Sequence, residues 1–251
     1  MKIGVIGLGL IGGSIFKDLI LFGHDVVGIS QSQSGERIFK DYNLLKDCEI
    51  VFVCSPMNKT LGILDKLENI LSSETIVTDV CSLKTFVCLK QRPYNFIPSH
   101  PMAGTEHKGF ENSFEGLFKG AKWVITPFEN QQMPDKFVSL IREFGAEIVI
   151  TTPQKHDEAV ALISHMPMLI SQAIFKTAQE NELALKIASS GFRDMTRLAM
   201  SNTEMANDMI TMNAQNIENS ILKLYKSIGD LTNENYKDQI ELIRSERSKM
   251  F

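Results

Sequence analysis

Residues 7–12 read Gly7-Leu8-Gly9-Leu10-Ile11-Gly12; they follow the β-branched run Lys2–Ile6 and open the helix-forming stretch Gly13–Ile20. Between a strand and a helix, each glycine of such a turn has a distinct use. The first permits the tight turn, the second lets a pyrophosphate approach the backbone, and the third lets the helix pack closely on the strand. The turn therefore reads as the first βα connection of a Rossmann-type domain, with Gly7, Leu8, Gly9, Leu10, Ile11 and Gly12 holding a nicotinamide dinucleotide. A tight βα turn without a ligand is the alternative.

The rest of the first 152 residues fits that frame. Short β-rich runs at Lys2–Ile6, Asp25–Ile29, Glu49–Val53, Thr75–Val80, Asn95–Pro98, Trp123–Thr126 and Glu147–Thr151 alternate with helix candidates at 14–22, 59–71 and 134–144. That rhythm implies an α/β domain with a mostly parallel sheet. After Pro153 strand signals stop, and helical patterns follow at 155–178, 181–190, 203–228 and 233–249. The expected organisation is a dinucleotide-binding domain over 1–152 and an all-helical substrate and dimerisation domain over 153–251. Helices as long as 202–228, with Met, Ile and Leu at three- and four-residue intervals, need a partner surface for their apolar face, and a homodimer is the simplest source.

Composition narrows the function classes. A net charge of −4 without a Lys/Arg cluster argues against a nucleic-acid binder. Cys48, Cys54, Cys81 and Cys88 form no C-x-x-C pair and read as free thiols, with no metal expected. Met1-Lys2 leads directly into a strand with no signal peptide, and the apolar runs read as too short to span a membrane, so a cytoplasmic protein is expected.

Past the second strand, an NAD-selective enzyme places a carboxylate on the adenosine ribose. Here the run is Ser30-Gln31-Ser32-Gln33-Ser34. Nothing in it repels a 2′-phosphate, and Ser30, Gln31, Ser32 and Ser34 offer neutral donors, which favours NADP over NAD. Arg37 is the nearest arginine, NAD use stays open, and a solvated polar turn is the bland reading. By topology, Cys54, Ser55 and Pro56 after the third predicted strand edge the cofactor crevice.

Three further segments combine reactive side chains with expected strand or helix ends: Asp79–Lys84, Ser99–Glu106 and Ser190–Arg197. Ser82 and His100 follow consecutive strands and could meet at the crevice. A histidine near its ordinary pKa takes a proton from a substrate hydroxyl, and a serine bonded to it orients ring and substrate; a capping histidine is the alternative. Arg193 and Arg197, four apart, read as one face around a helix start and suit a carboxylate, or else pair with Asp194. His165 lies in an apolar helix that Pro167 should kink, as a ligand-facing or a satisfied core ring.

Taken together, Gly7–Ser14, Asp79–Lys84, Ser99-His100-Pro101-Met102-Ala103-Gly104-Thr105, His165-Met166-Pro167 and Gly191-Phe192-Arg193-Asp194-Met195-Thr196-Arg197 resemble the prephenate/arogenate dehydrogenase family over essentially the whole chain. The resemblance implies oxidative decarboxylation of prephenate to 4-hydroxyphenylpyruvate with NAD(P)+ in tyrosine biosynthesis, or of arogenate to tyrosine. It makes His100 the base, with Ser82 sharing the hydroxyl contact. Arg197 binds a substrate carboxylate, and Thr105, Glu106 and His165 line the pocket. Several prephenate-specific members carry a second histidine where this chain has Met168, which with the serine-rich turn pulls toward arogenate. The end at Phe251 is expected to leave a monofunctional enzyme. Remoter readings are another Rossmann hydroxyacid dehydrogenase, which would have no reason for Arg197 beside H-P-M-A-G-T, and a nucleotide-binding module without chemistry.

Overall fold

The computed structural model describes residues 1–105, 107–233 and 235–250. Its first part runs β1 (Lys2–Ile6), α1 (Leu10–Leu21), β2 (Asp25–Ile29), β3 (Ile38–Phe39), β4 (Ile50–Val53), α2 (Met57–Leu67), β5 (Ile76–Asp79), β6 (Asn95–Phe96), β7 (Ser99–Pro101), β8 (Lys122–Ile125), α3 (Asp135–Glu143) and β9 (Glu147–Ile150). Six strands form one parallel sheet in the order β3-β2-β1-β4-β5-β6. The chain winds away from β1 in both directions, so the order reverses between β1 and β4 and opens a crevice at their carboxyl ends. Gly7 leaves β1 there, and Cys54 leaves β4.

Helices and loops cover both faces, and β4 is buried throughout. Ile50 and Phe52 pack in one cluster with Ile3, Val5, Trp123 and Phe144; Val51 and Val53 pack in another with Ile6, Val27, Leu64 and Leu67. A second sheet, β7-β8-β9, leans on the first. Its β7 runs antiparallel to β8, with His100 opposite Val124, and β8 runs parallel to β9. Trp123 of β8 stacks on Phe144 at 5.5 Å and meets the Phe52 ring edge-on at 6.3 Å, which ties the two sheets together.

From Pro153 on, the described residues hold helices and no strand: α4 (Pro153–Val160), α5 (Met166–Ala178), α6 (Glu182–Lys186), α7 (Ser190–Met195), α8 (Thr203–Met212), α9 (Ala214–Asn233) and α10 (Tyr236–Ser248). Thr152 caps α4 by accepting from Lys155 N, with Pro153 in the first turn where its missing N–H is harmless. The expected fold class, a Rossmann-type sheet followed by an all-helical part, is the one observed.

Four expectations need correction. The strands β3 and β7 have no counterpart in the sequence pattern; at two and three residues, their pairing is decided by distant neighbours. Helix α1 starts at Leu10, so Gly12 lies inside its first turn. The expected helix 203–228 breaks at Asn213, whose amide bonds across to Asp157 O and His165. The run 153–178 is helical throughout, with a π-helical turn, Ala161–His165, just before Pro167. That 26-residue run therefore has the length and apolar composition to span a bilayer, contrary to the expectation that none does. Its polar residues His156, Asp157, His165 and Ser171 are nevertheless buried against the protein.

Candidate active site

The glycine turn has the shape of a dinucleotide cradle. Gly7 sits at φ +86°, and a Cβ there would fall 2.6 Å from the Cys54 carbonyl oxygen. A Cβ on Gly12 would lie 1.9 Å from the Gly7 carbonyl oxygen and 2.8 Å from Cys54 Cβ. Gly9, which caps α1, has open space above it. That open side, facing the N–H groups that begin α1, is where a pyrophosphate would rest. Cys54 N donates to Ile6 O at 2.7 Å, which holds the β4 end against the turn. Burial pushes the Cys54 thiol well above its ordinary range, with Cys81 and Asp79 adding to the effect, so it is an inert wall. Ser55 Oγ is engaged with Thr60 Oγ1 at 2.9 Å, and Pro56 caps α2.

At the β2 end, Ser30 Oγ accepts from Ser32 N and Gln33 N, so the buried hydroxyl closes its own turn. Gln31, Ser32 and Ser34 are exposed. The β3 strand brings Arg37 back beside β2: Gly28 N donates to Arg37 O at 2.8 Å, and Ser30 N donates to Phe39 O at 2.9 Å.

His100 is one end of a polar chain that crosses from the second sheet to the helical part. Its Nδ1 lies 2.9 Å from His156 Nε2, and His156 Nδ1 lies 2.8 Å from Asp157 Oδ1. Asp157 also accepts from Lys84 N at 2.8 Å and Thr85 N at 2.9 Å. Burial works against this carboxylate, but the hydrogen bonds from His156, Thr85 and Lys84 outweigh it and hold its pKa below the usual carboxylate range. Burial, reinforced by His156, Lys84 and His165, holds His100 well below the ordinary histidine pKa. It is therefore a neutral imidazole at physiological pH, able to accept a proton.

Beneath His100, the fully buried Lys84 ammonium pairs with the Asp79 carboxylate and donates to Ser99 O at 2.6 Å. Asp79 also accepts from Cys81 N at 2.9 Å and Ser99 N at 3.3 Å. Ser99 Oγ donates to Asp79 O at 2.9 Å and receives Trp123 Nε1–H at 3.0 Å. These bonds fasten β7, and so His100, to the end of β5.

His165 is also buried and near the same cluster. Asn213 Nδ2, which donates to Asp157 O at 2.9 Å, meets His165 Nδ1 at 3.1 Å. Burial, with His156 adding to it and Asp157 opposing, lowers the His165 pKa to about 4. Its Nε2 is buried with no protein partner among the described residues.

Other sequence candidates are less assembled. Ser82 is half-buried on the loop that Asp157 holds, and among the described residues no hydrogen bond joins it to His100. Arg193 and Arg197 do not share one regular helix: α7 ends at Met195, and Arg197 begins a separate 3-10 turn, Arg197–Met200. Arg193 lies 3.8 Å from Asp194, the bland alternative for it, and Arg197 is exposed. Thr105 is exposed, with its hydroxyl accepting from His107 N at 3.2 Å. Glu106 lies outside the described residues. Met168 packs with Met57, Cys81, Leu83 and Val160 under the Ser82 loop. Sequence reasoning missed His156, Asp157 and Asn213, and singled out the Asp79–Lys84 segment without its ion pair. The one available signal was an adjacent His-Asp pair just inside a Pro-initiated helix.

Comparison with known proteins shows the family of the chain. Residues 31–150 match the family model "Prephenate dehydrogenase, nucleotide-binding domain", and residues 152–245 match "Prephenate dehydrogenase, dimerization domain". The chain belongs to the prephenate dehydrogenase family. The first match begins after the glycine turn, so that turn is an independent observation. The prephenate dehydrogenase of Bacillus subtilis is 30% identical over 84% of this chain, and the alignment spans 64% of that enzyme's length. The arogenate dehydrogenase of Synechocystis is 34% identical, with complete coverage of both chains and a TM-score of 0.85. A prephenate dehydrogenase from A. aeolicus, solved with hydroxyphenyl propionate and NAD+, shares the fold at a TM-score of 0.88, with 24% identity, 100% coverage of this chain and 98% of that one.

Proposed function

We propose that this protein is a prephenate dehydrogenase, with His100 as the general base. The observation that carries the reading is the neutral, half-buried His100, anchored on β7 at the margin of a dinucleotide crevice. A bound NAD(P)+ supplies a hydride acceptor. In the reaction, His100 takes the proton of the C4 hydroxyl as hydride leaves C4. The carboxylate at C1 departs as CO2, its bonding pair enters the ring, and the electron pair displaced onto the C4 oxygen takes the proton back from His100, which gives the phenol and restores the base. Because aromatisation drives the step, the protein supplies orientation and one base in place of a strong nucleophile.

In this reading the dinucleotide-binding part covers 1–152 and the helical part 153–251. Gly7–Gly12 hold the pyrophosphate, and Cys54, Ser55 and Pro56 edge the crevice. Ser82 contacts the substrate hydroxyl, while Arg197, His165, Thr105, Glu106 and Arg193 surround the substrate. Arg197 sits at a helix-turn start with its guanidinium uncommitted among the described residues, which suits a substrate carboxylate. NADP is the favoured cofactor: no carboxylate ends β2, Gln31, Ser32 and Ser34 are exposed, and β3 returns Arg37 beside that turn. Arogenate is the second substrate reading, supported by the end-to-end likeness to the Synechocystis enzyme.

Turnover of the purified protein with prephenate and arogenate, each with NAD+ and NADP+, tests the proposal; no cofactor reduction with either substrate overturns it. The acidic limb of the rate profile should fall below the ordinary histidine value of about 6.5. The neutral ring is the active form, and a lowered pKa keeps it neutral further into acid, so activity is lost only as pH drops through that lowered value. A limb above about 6.5 would point to another base.

A homodimer is part of the proposal. Ile163, Ile187, Leu222, Tyr225 and Leu242 are each more than half exposed on the helical part, which matches the dimerization-domain model. Light scattering should give twice the 28.2 kDa chain mass, and a monomer at micromolar concentration would contradict the pairing. A cytoplasmic setting fits the four unpaired thiols.

A further inference from the structure

We infer that His156 is a positioning residue that fixes the ring tautomer of His100; this deepens the reading of His100 as the base. Asp157 sets the direction of the chain. Its carboxylate is ionised and accepts only, so the atom facing it at 2.8 Å, His156 Nδ1, carries a hydrogen. A neutral imidazole holds a single N–H, which leaves His156 Nε2 as an acceptor. Facing that acceptor at 2.9 Å is His100 Nδ1, which must donate. The consequence falls on the far side of the His100 ring, where Nε2 keeps its lone pair and is the basic atom.

The chain is directional from end to end: His100 Nδ1–H to His156 Nε2, and His156 Nδ1–H to Asp157. Its carboxylate end is pinned independently of the histidines, because Lys84 N and Thr85 N donate to the same group. His156 is 2% exposed, so water does not compete for its ring atoms. The charged and titratable groups around the pair are Asp157 on α4, Lys84 with its partner Asp79 below β7, and His165 at the π turn. When His100 Nε2 takes a proton, the new positive charge is compensated through His156 by Asp157 without a rearrangement of side chains.

Two readouts test this. The first does not depend on the substrate. With 15N-labelled histidine, long-range proton–nitrogen correlation at about pH 8, above the ordinary histidine range, should show His100 protonated at Nδ1 and bare at Nε2. The His100→Asn variant assigns the signal among the chain's five histidines. In His156→Leu the His100 signal should shift toward the Nε2–H form. A wild-type His100 already protonated at Nε2 would overturn the inference, even if the protein proved inactive on both substrates.

The second readout is kinetic. His156→Leu should lower kcat by about 10- to 100-fold, the usual loss when the outer partner of a functional histidine is removed, with KM little changed. His156→Gln can accept from His100 and donate to Asp157 through its amide, and it should recover part of kcat. A folded His156→Leu variant with wild-type kcat, or a Gln variant no better than Leu, would overturn the assignment. If the Leu variant does not fold, the Gln variant's tautomer spectrum decides: loss of the Nδ1–H form despite an amide acceptor would count against it.

Discussion

Replacing His100 by asparagine should reduce turnover by about 10²- to 10⁴-fold while the dissociation constant of the nicotinamide cofactor stays within about twofold. The introduced amide is shorter than the ring and reaches only about as far as Nδ1, so it can still bond His156 but offers no basic lone pair at the Nε2 position. The cofactor cradle lies on other elements: Gly7 and Gly12 are shaped by β1, α1 and the Cys54 carbonyl. A pure loss of the base therefore appears in kcat, without a parallel loss in cofactor binding. Steady-state rates and a fluorescence titration of reduced cofactor measure the two quantities. A His100→Asn enzyme with near-normal rates would show that the base lies elsewhere.

Replacing Lys84 by methionine should destabilise the protein by about 3–5 kcal/mol, the cost of leaving a buried carboxylate without its ionic partner. Lys84 and Asp79 are both fully buried, and the ammonium also donates to Ser99 O beside His100. Methionine fills much of the volume but satisfies neither acceptor. The Cys81 and Ser99 N–H groups still reach Asp79, which favours the lower end of the range. Urea denaturation measures the loss, and a change under about 1 kcal/mol would show that the pair is not a structural anchor. The Lys84→Met, Asp79→Asn double variant should cost less than Lys84→Met alone, because it removes the unpaired charge.

The two variants report on different links of the same chain of cause. Lys84 sits on the loop whose backbone Asp157 also grips, so that loop ties the sheet to α4. Losing Lys84 should loosen the position of His100, whereas losing His100 should leave the position intact and remove the chemistry.

Much of the fold was legible because its signals are local. The run Lys2–Ile6, the glycine turn and the following apolar helix each have a pattern that near neighbours alone enforce, and the disappearance of strand runs after Ile150 is equally plain. Reading failed where distant partners decide. The two-residue β3 and three-residue β7 are strands only because β2 and β8 run beside them. Pro167 signalled a distortion of the helix, but the π turn just before it has no local signal of its own.

The candidate site divides in the same way. His100, Ser82 and Arg197 stood out as unusual side chains near expected strand or helix ends. His156 and Asn213 did not, since a histidine at a helix start and an asparagine between helices are ordinary in sequence. Asn213 breaks the expected helix and reaches Asp157 O and His165, 56 and 48 positions away. The separation of Arg193 from Arg197 by a helix end was likewise invisible, because four-residue spacing places two side chains on one face only if the helix continues.

From its residues alone, then, this chain specifies a dinucleotide turn, a parallel sheet, a helical second half and the identity of its candidate base. These depend on glycine sterics, side-chain periodicity and the chemistry of single groups, all carried by adjacent positions. The tertiary structure decided which nitrogen of His100 is basic, what holds its strand in place and which carboxylate stands behind it. Those properties arise only when β5, β7 and α4 are packed together, because burial and hydrogen bonds between distant residues set the protonation of a ring.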